Sequence, residues 1–291
     1  MRWGRIAAAV VGVAGILGIA TGQDRISDVI YLKQAGSAFT MDVFKPKTSN
    51  HAAVIFLCSG GWMSSHSMVS PELAKPFTDQ GFTMFEVMHG SQPRYKVPDI
   101  VGELQHAIRF IRANAATYGI DKNEIGVMGG SSGGHLSLML AAMGDDGQAD
   151  AKDPVDQESS RVNAVVAFFP PTDMLNWGKP GQYANKIPQL AIFLPALSVA
   201  ADTPDDKAQQ IGQTWSPIYH ISPMFPPTLL LHGDADQLVP LQQSQELDGV
   251  FTKDGVEHKL IIMKGIGHDA RAFALELGEE LGWFKGHLVK P

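Results

Sequence analysis

One cysteine, Cys58, is all that the 291 residues contain. A lone thiol cannot close an intrachain disulfide, so no covalent staple is expected within this chain. Its setting in AVIFLC (53–58) reads as a small apolar side chain on a buried strand. Neither CxxC nor HExxH occurs, which removes the sequence basis for a zinc site. Basic charge is scarce too: 23 Lys and Arg stand against 30 Asp and Glu, a formal net charge of −7. Nucleic acid is therefore not expected as a partner. Internal repeats and low-complexity tracts are missing. Charged residues make up 18% of the chain and hydrophobic ones 44%, the balance of a packed globular protein.

Apolar runs of membrane-spanning length are also lacking. The run Ile6 to Ala20 covers 15 residues, short of the ~18 that a spanning helix needs. Arg2 and Arg5 precede it, and Ala20, Thr21 and Gly22 follow. That order is the one found in secretory signal peptides. Residues 1–22 are expected to be removed, leaving 23–291 as a periplasmic or secreted protein without stable membrane association. An uncleaved anchor is the alternative. Loss of Arg2 and Arg5 takes the formal charge from −7 to −9.

What is present is an alternation of strand and helix patterns. VIYLK (29–33) and AFTMDVF (38–44) read as an antiparallel edge. AAVIFLC (52–58), FTMFEVM (82–88), EIGVMG (124–129), VNAVVAFF (162–169), TLLLHG (228–233) and HKLIIM (258–263) read as strands buried on both faces. Between them, 97–119 carries Ile100, Leu104, Ile108 and Ile111 at helical spacing, and 241–253 and 270–288 also read as helices. The expected fold class is α/β, a mostly parallel sheet with helices on both faces. Two segments break the rhythm. Residues 145–161 are polar and acidic, a surface loop; 171–226 are proline-rich with scattered large apolar residues, and are expected to form a cap-like insertion.

The chemistry concentrates in GVMGGSSGGHL (126–136). No lysine follows the glycines, so a phosphate-binding loop is excluded. G-x-S-x-G fits instead, with a serine on a tight strand-to-helix elbow. Strand and helix there approach so closely that positions two before and two after the serine tolerate almost no side chain. Two frames satisfy the pattern: Ser131 between Gly129 and Gly133, and Ser132 between Gly130 and Gly134. A nucleophilic serine requires a base and an acid that orients it. Asp234 and Asp236 follow the strand TLLLHG, and His268 follows the next strand. Ser, Asp, His is a triad order, and all three lie past the carboxyl ends of strands, where such sheets build sites. Gly60 and Gly61, after the strand AVIFL, are placed to offer a further backbone donor to an oxyanion. Gly265–Ala270 matches a G-x-G-x-x-[GA] fingerprint, but the chain ends one helix later, without the strand and acidic residue that dinucleotide binding needs. No cofactor is expected.

NAATYGIDKNEIGVMGGSSGGHL (114–136) resembles the "NA..YGID..RIGVMG.SAGGHL" segment of the α/β-hydrolase superfamily. More narrowly, residues 28–288 are similar to exported esterases of the hormone-sensitive-lipase, acetyl-xylan-esterase and feruloyl-esterase group. The resemblance implies a nucleophile at Ser131, with Ser132 in the alanine position whose N–H serves the oxyanion hole. HGDADQLVP resembles "HG..D..VP", implying Asp236 as the acid, and GIGHDA supports His268. At Cys58-Ser59-Gly60-Gly61-Trp62 the chain departs from the family's HGGGW or HGGxW form: Cys58 replaces a histidine and Ser59 a glycine. The HGGxW form also occurs in kynurenine-formamidase-like enzymes.

The expectation is a serine esterase acting on short-chain or carbohydrate-linked acyl esters through an acyl-enzyme. Ser131, Asp236 and His268 form the triad, Gly60, Gly61 and Ser132 the oxyanion hole, and Trp62 with the 171–226 insertion the substrate pocket. The alternatives are an amidase or peptidase of the same type, and a non-catalytic binder on a hydrolase fold.

Overall fold

The computed structural model describes residues 24–290; the expected signal peptide lies outside them. A hairpin opens the chain, β1 (Asp24–Gln34) and β2 (Ser37–Lys45), followed by β3 (Ala53–Leu57). Helix α1 (Pro71–Asp79) leads to β4 (Thr83–Val87). Then come α2 (Val97–Ala113), α3 (Ala115–Tyr118), β5 (Ile125–Gly130), α4 (Ser132–Met143) and β6 (Ala164–Phe168). The 171–226 insertion holds one longer helix, α5 (Asp205–Trp215), among short 3-10 turns. The chain closes with β7 (Thr228–Gly233), α6 (Gln242–Asp254), β8 (His258–Met263), α7 (Ala272–Leu275) and α8 (Leu277–Leu288).

The eight strands form one sheet in the order β1-β2-β4-β3-β5-β6-β7-β8. β1 pairs antiparallel with β2, and β2 with β4; every later pairing is parallel. This is the antiparallel edge on a parallel sheet that the alternation of patterns predicts. Strands β3 to β7 are buried along their whole length, because helices cover both faces. One face buries Leu104 and Ile108 of α2, Leu138 of α4 and Phe251 of α6; the other buries Phe77 of α1 and Phe284 of α8. The acidic 145–161 loop is clamped to α2, with Arg109 on the Asp145 carboxylate at 2.6 Å and Arg112 on the Ser159 and Arg161 carbonyls.

Two local expectations are revised, and one helix is added that the sequence patterns did not show. Residues 71–79 are helical although they hold two prolines. Pro71 occupies the first helical position, where no N–H is needed, and the Ser70 hydroxyl caps the turn by accepting from the Leu73 N–H at 3.1 Å. The helix expected over 270–288 is divided at Glu276 (φ −115°, ψ 23°) into α7 and α8. Finally, β8 is an edge strand with only β7 beside it, so HKLIIM is not buried throughout and Ile262 stands 46% exposed. Among the described residues no helix is long and apolar enough to cross a membrane.

Candidate active site

Where β5 ends, the chain turns into α4 through Ser131, held at φ 54° and ψ −121°. A non-glycine residue there is strained, and strain of this kind clusters at sites that need a fixed side-chain direction. The surrounding glycines are required sterically. A Cβ on Gly129 would lie 2.6 Å from the Gly133 carbonyl carbon, and one on Gly134 2.9 Å from the Phe168 carbonyl oxygen. Backbone bonds fix the elbow on both sides: the Ser131 N–H donates to Phe168, and the Ser131 carbonyl accepts from His135.

The geometry separates the two serine frames. Ser131 Oγ lies 2.9 Å from His268 Nε2, whereas Ser132 Oγ is paired with Ser59 Oγ at 2.9 Å. His268 Nδ1 in turn lies 2.7 Å from Asp236 Oδ2. The other oxygen, Asp236 Oδ1, accepts from the N–H groups of Leu238 and Val239 at 2.9 Å each. Asp234 faces away and accepts instead from the Gly265 N–H. Burial would raise the Asp236 pKa, but hydrogen bonds from His232, His268 and Val239 outweigh it and hold the carboxyl well below the usual range. The carboxylate is therefore ionised at any ordinary pH and fixes Nδ1–H on His268, leaving Nε2 to accept from Ser131. Phe169 packs on the His268 ring with centroids 4.5 Å apart. The two loops meet closely: a Cβ on Gly233, just before the aspartates, would come within 2.0 Å of the Ile266 carbonyl oxygen.

Facing Ser131 is the loop after β3. Among the described residues the N–H groups of Gly61 and Ser132 donate to no protein acceptor. Gly60 is different. Its N–H donates to the Met63 carbonyl at 2.9 Å, and Met63 returns a bond at 3.1 Å. Gly60 was expected to donate to an oxyanion, but its amide closes this small turn instead, leaving Gly61 and Ser132 as the available pair. Gly61 needs its glycine: φ is +59°, and a Cβ would lie 2.6 Å from Phe193.

Around Cys58 several residues pin the loop. The Cys58 N–H donates to Val87, and Gln92 Nε2 donates to the Gly61 and Ile192 carbonyls at 3.0 Å. The Trp62 indole N–H donates to His135 Nδ1 at 3.2 Å, and His135 Nε2 donates to the Trp215 carbonyl at 2.8 Å. His135 is fully buried, and burial pulls its pKa down to about 4, so a neutral imidazole links oxyanion loop, α4 and insertion. Sequence reading did not single out His135, Gln92 or His232. A histidine four residues after the nucleophile was the one visible signal.

Two cavities meet at Ser131. The larger, about 790 Å³, is walled by Phe56, Phe77, Phe273 and Leu277, with Ser131 and His268 on its lining. Its long wall comes from α1, α7 and α8, and the 171–226 insertion supplies only Phe193. The smaller, about 30 Å³, is lined by Trp62, Trp177, Leu238 and Phe193 beside Gly61, Ser131 and Ser132. Trp62 thus borders the small cavity and not the large one, and at 5% exposure it is mainly packing. Trp177 is buried likewise.

With this arrangement in view, its likenesses can be read. Esterase LipC of Mycobacterium tuberculosis is 26% identical over 82% of this chain and 62% of its own length. A probable isoprenylcysteine alpha-carbonyl methylesterase of Oryza sativa subsp. japonica is 23% identical, over 84% of this chain and 58% of that relative. The chain thus spans about three fifths of these curated relatives. Among solved structures, a truncated form of a carbohydrate esterase from gut microbiota superposes with a TM-score of 0.75 at 25% identity. That superposition covers 92% of this chain and 97% of the other. The fold is thus the α/β-hydrolase fold shared with esterases. Residues 41–251 match BD-FAE, a span that takes in the β3 loop, the serine elbow and the Asp236 turn; the chain belongs to the BD-FAE family.

Proposed function

We propose that this protein is an exported serine esterase that removes short acyl groups from larger alcohols. The observation that carries the reading is the continuous hydrogen-bond chain from Asp236 through His268 to Ser131, ending where two cavities of very different size meet. Ser131 Oγ attacks the ester carbonyl while His268 Nε2 takes its proton. The carbonyl oxygen becomes an anion facing the Gly61 and Ser132 amides; each such donor is worth about 3 kcal/mol in the transition state. The tetrahedral centre collapses, the alcohol leaves with the proton from His268, and an acyl-serine remains. Water, deprotonated by His268, attacks that acyl-serine and releases the acid, with Ser131 recovering its proton. Asp236, ionised throughout, stabilises the imidazolium formed at each stage.

The cavity of about 30 Å³ holds little more than one or two water-sized groups, which suits an acetyl methyl. The cavity of about 790 Å³ takes the alcohol, and its aromatic walls offer stacking faces to a sugar or aryl ring. The similarity to a carbohydrate esterase supports a carbohydrate-linked ester as the natural substrate class. Export rests on the basic-then-apolar order of residues 1–22, outside the described residues.

The test is hydrolysis of p-nitrophenyl acetate, butyrate and octanoate by residues 23–291, together with labelling by a serine-directed phosphonate. Turnover falling from acetate to octanoate, lost in Ser131→Ala and kept in Ser132→Ala, is the expected result. Absence of both turnover and labelling would mean that the protein is a binder. N-terminal sequencing of protein recovered from outside the cytoplasm tests cleavage near residue 22.

A further inference from the structure

The large cavity contains one group that ester hydrolysis does not need. Ala270 ahead of α7, Phe273 and Ala274 of α7, and Leu277 and Glu280 of α8 line it in succession, a stripe that leads away from His268 along the chain. Phe77 of α1 lines the same cavity and touches Phe284, one turn beyond Glu280, at 6.3 Å between ring centroids. Glu280 is therefore the last of the stripe, at the seam where α1 meets α8. It is 1% exposed, and its Oε1 is buried without any hydrogen-bond partner. No lysine or arginine lies among the cavity-lining residues. The other acids there are elsewhere engaged: Glu72 accepts from the Ser70 hydroxyl, and Asp269 pairs with Arg271.

A buried carboxyl without a partner is costly, and a leucine in its place would pack the same stripe without that cost. Glu280 lines an apolar cavity, and a small turn of its side chain into that space would give the carboxyl a partner in whatever fills it. We propose that Glu280 is a specificity-determining residue that hydrogen-bonds a hydroxyl at the far end of the substrate's alcohol part. The inference rests on the esterase reading above. Burial pushes the Glu280 carboxyl up to about 8, aided by the charge of Glu276, so near neutral pH it is mostly protonated and can both donate and accept. A hydroxyl matches that pairing. An alkyl end entering the cavity leaves the carboxyl unpaired, and an ammonium requires it to ionise first.

The experiment compares monoacetates of α,ω-diols from four to eight carbons with alkyl acetates of equal heavy-atom count, and with the ω-ammonium analogues. Acid release is followed by pH-stat at neutral pH. One diol length is expected to be preferred over its alkyl isostere by about ten-fold in kcat/KM, the size of effect a single buried hydrogen bond supplies. Glu280→Leu should abolish that preference, and Glu280→Gln, which can still donate and accept, should keep most of it. The same ligands titrated calorimetrically into Ser131→Ala and Ser131→Ala/Glu280→Leu read the contact without catalysis. Discrimination in that titration without turnover by the wild type would overturn the esterase reading and leave the Glu280 contact standing. Turnover with no diol preference at any length, a preference unchanged by Glu280→Leu, or a larger preference for the ammonium series would overturn the Glu280 proposal.

Discussion

The two sides of the proposed catalytic pair are built to different standards of rigidity. Ser131 sits on an elbow between fully buried β5 and α4, where backbone lies against backbone and a single methyl at Gly129 has nowhere to go. His268 sits in a loop after β8, the edge strand, where Gly265 and Ala270 are exposed and a Cβ on Gly267 would meet nothing nearer than 3.8 Å. Ser131 is positioned by sterics. His268 is positioned by hydrogen bonds to Asp236 and Ser131 and by the Phe169 ring. One arrangement fixes a strained backbone; the other holds an imidazole through its hydrogen-bond partners.

Substitutions test that contrast directly. Ser131→Ala should lower kcat by at least ~10⁴-fold with circular dichroism and melting unchanged, since only the attacking atom is lost; substantial turnover by a folded variant would remove Ser131 from its role. On the rigid side, Gly129→Ala should cost about 3 kcal/mol or more, by clash with Gly133 that neither backbone can relieve. Gly267→Ala, made in the histidine loop, should cost less than about 1 kcal/mol in the same denaturant titration. Equal costs would erase the distinction. In the facing loop, Gly61→Ala should reduce kcat about 10²-fold or more by displacing an oxyanion donor. Gly60→Ala meets only the end of Met68 at 3.3 Å, and should have a much smaller effect on kcat.

The smallest expected effect is a pH dependence of stability. Burial raises Glu86 and Glu280 from 4.5 to about 8. A carboxyl with a raised folded-state pKa stabilises fully below its unfolded value, and that contribution is lost as pH climbs towards the folded value. His89 and His135, lowered from 6.5 to about 4, act in the opposite sense but only below pH 6.5. Between about pH 6.5 and 8 the glutamates act alone, so the melting temperature should decline across that window. Glu280→Gln should flatten part of the decline; an unchanged slope would mean that Glu280 does not titrate there.

Much of this site could be read from residue types and their order. Glycines around a serine after an apolar run specify an elbow, because close packing there is a backbone constraint that few residues meet. The strands with their loops in the order Ser131, Asp236, His268 were legible for the same reason. What stayed open depended on distance. Residue types alone leave Ser131 and Ser132, and Asp234 and Asp236, undivided; the family resemblance implies Ser131 and Asp236, and the hydrogen-bond partners of each hydroxyl and carboxylate agree with it. The Gly60 amide was misassigned because a four-residue turn consumes it, and neighbouring glycines look alike in sequence. Helix α1 was missed because two prolines mask a helix whose capping serine is the true signal. Glu280 is invisible for a different reason: in EELGWF it resembles any solvated helix acid, and only packing against α1 buries it.

Placing His268 beyond the last strand has a consequence for how the chain comes into being. Synthesis runs from the N-terminus, so Ser131 and Asp236 are both made before the base exists. The wall formed by Phe273, Leu277 and Glu280 is made later still. A chain made only as far as β8 lacks the base of the proposed triad, and so does any product truncated ahead of residue 268. The same placement sets His268 after an edge strand paired on one side only, while Ser131 follows a strand paired on both. The proposed hydrolysis would therefore report that this carboxyl-terminal part is in place more strictly than secondary structure does.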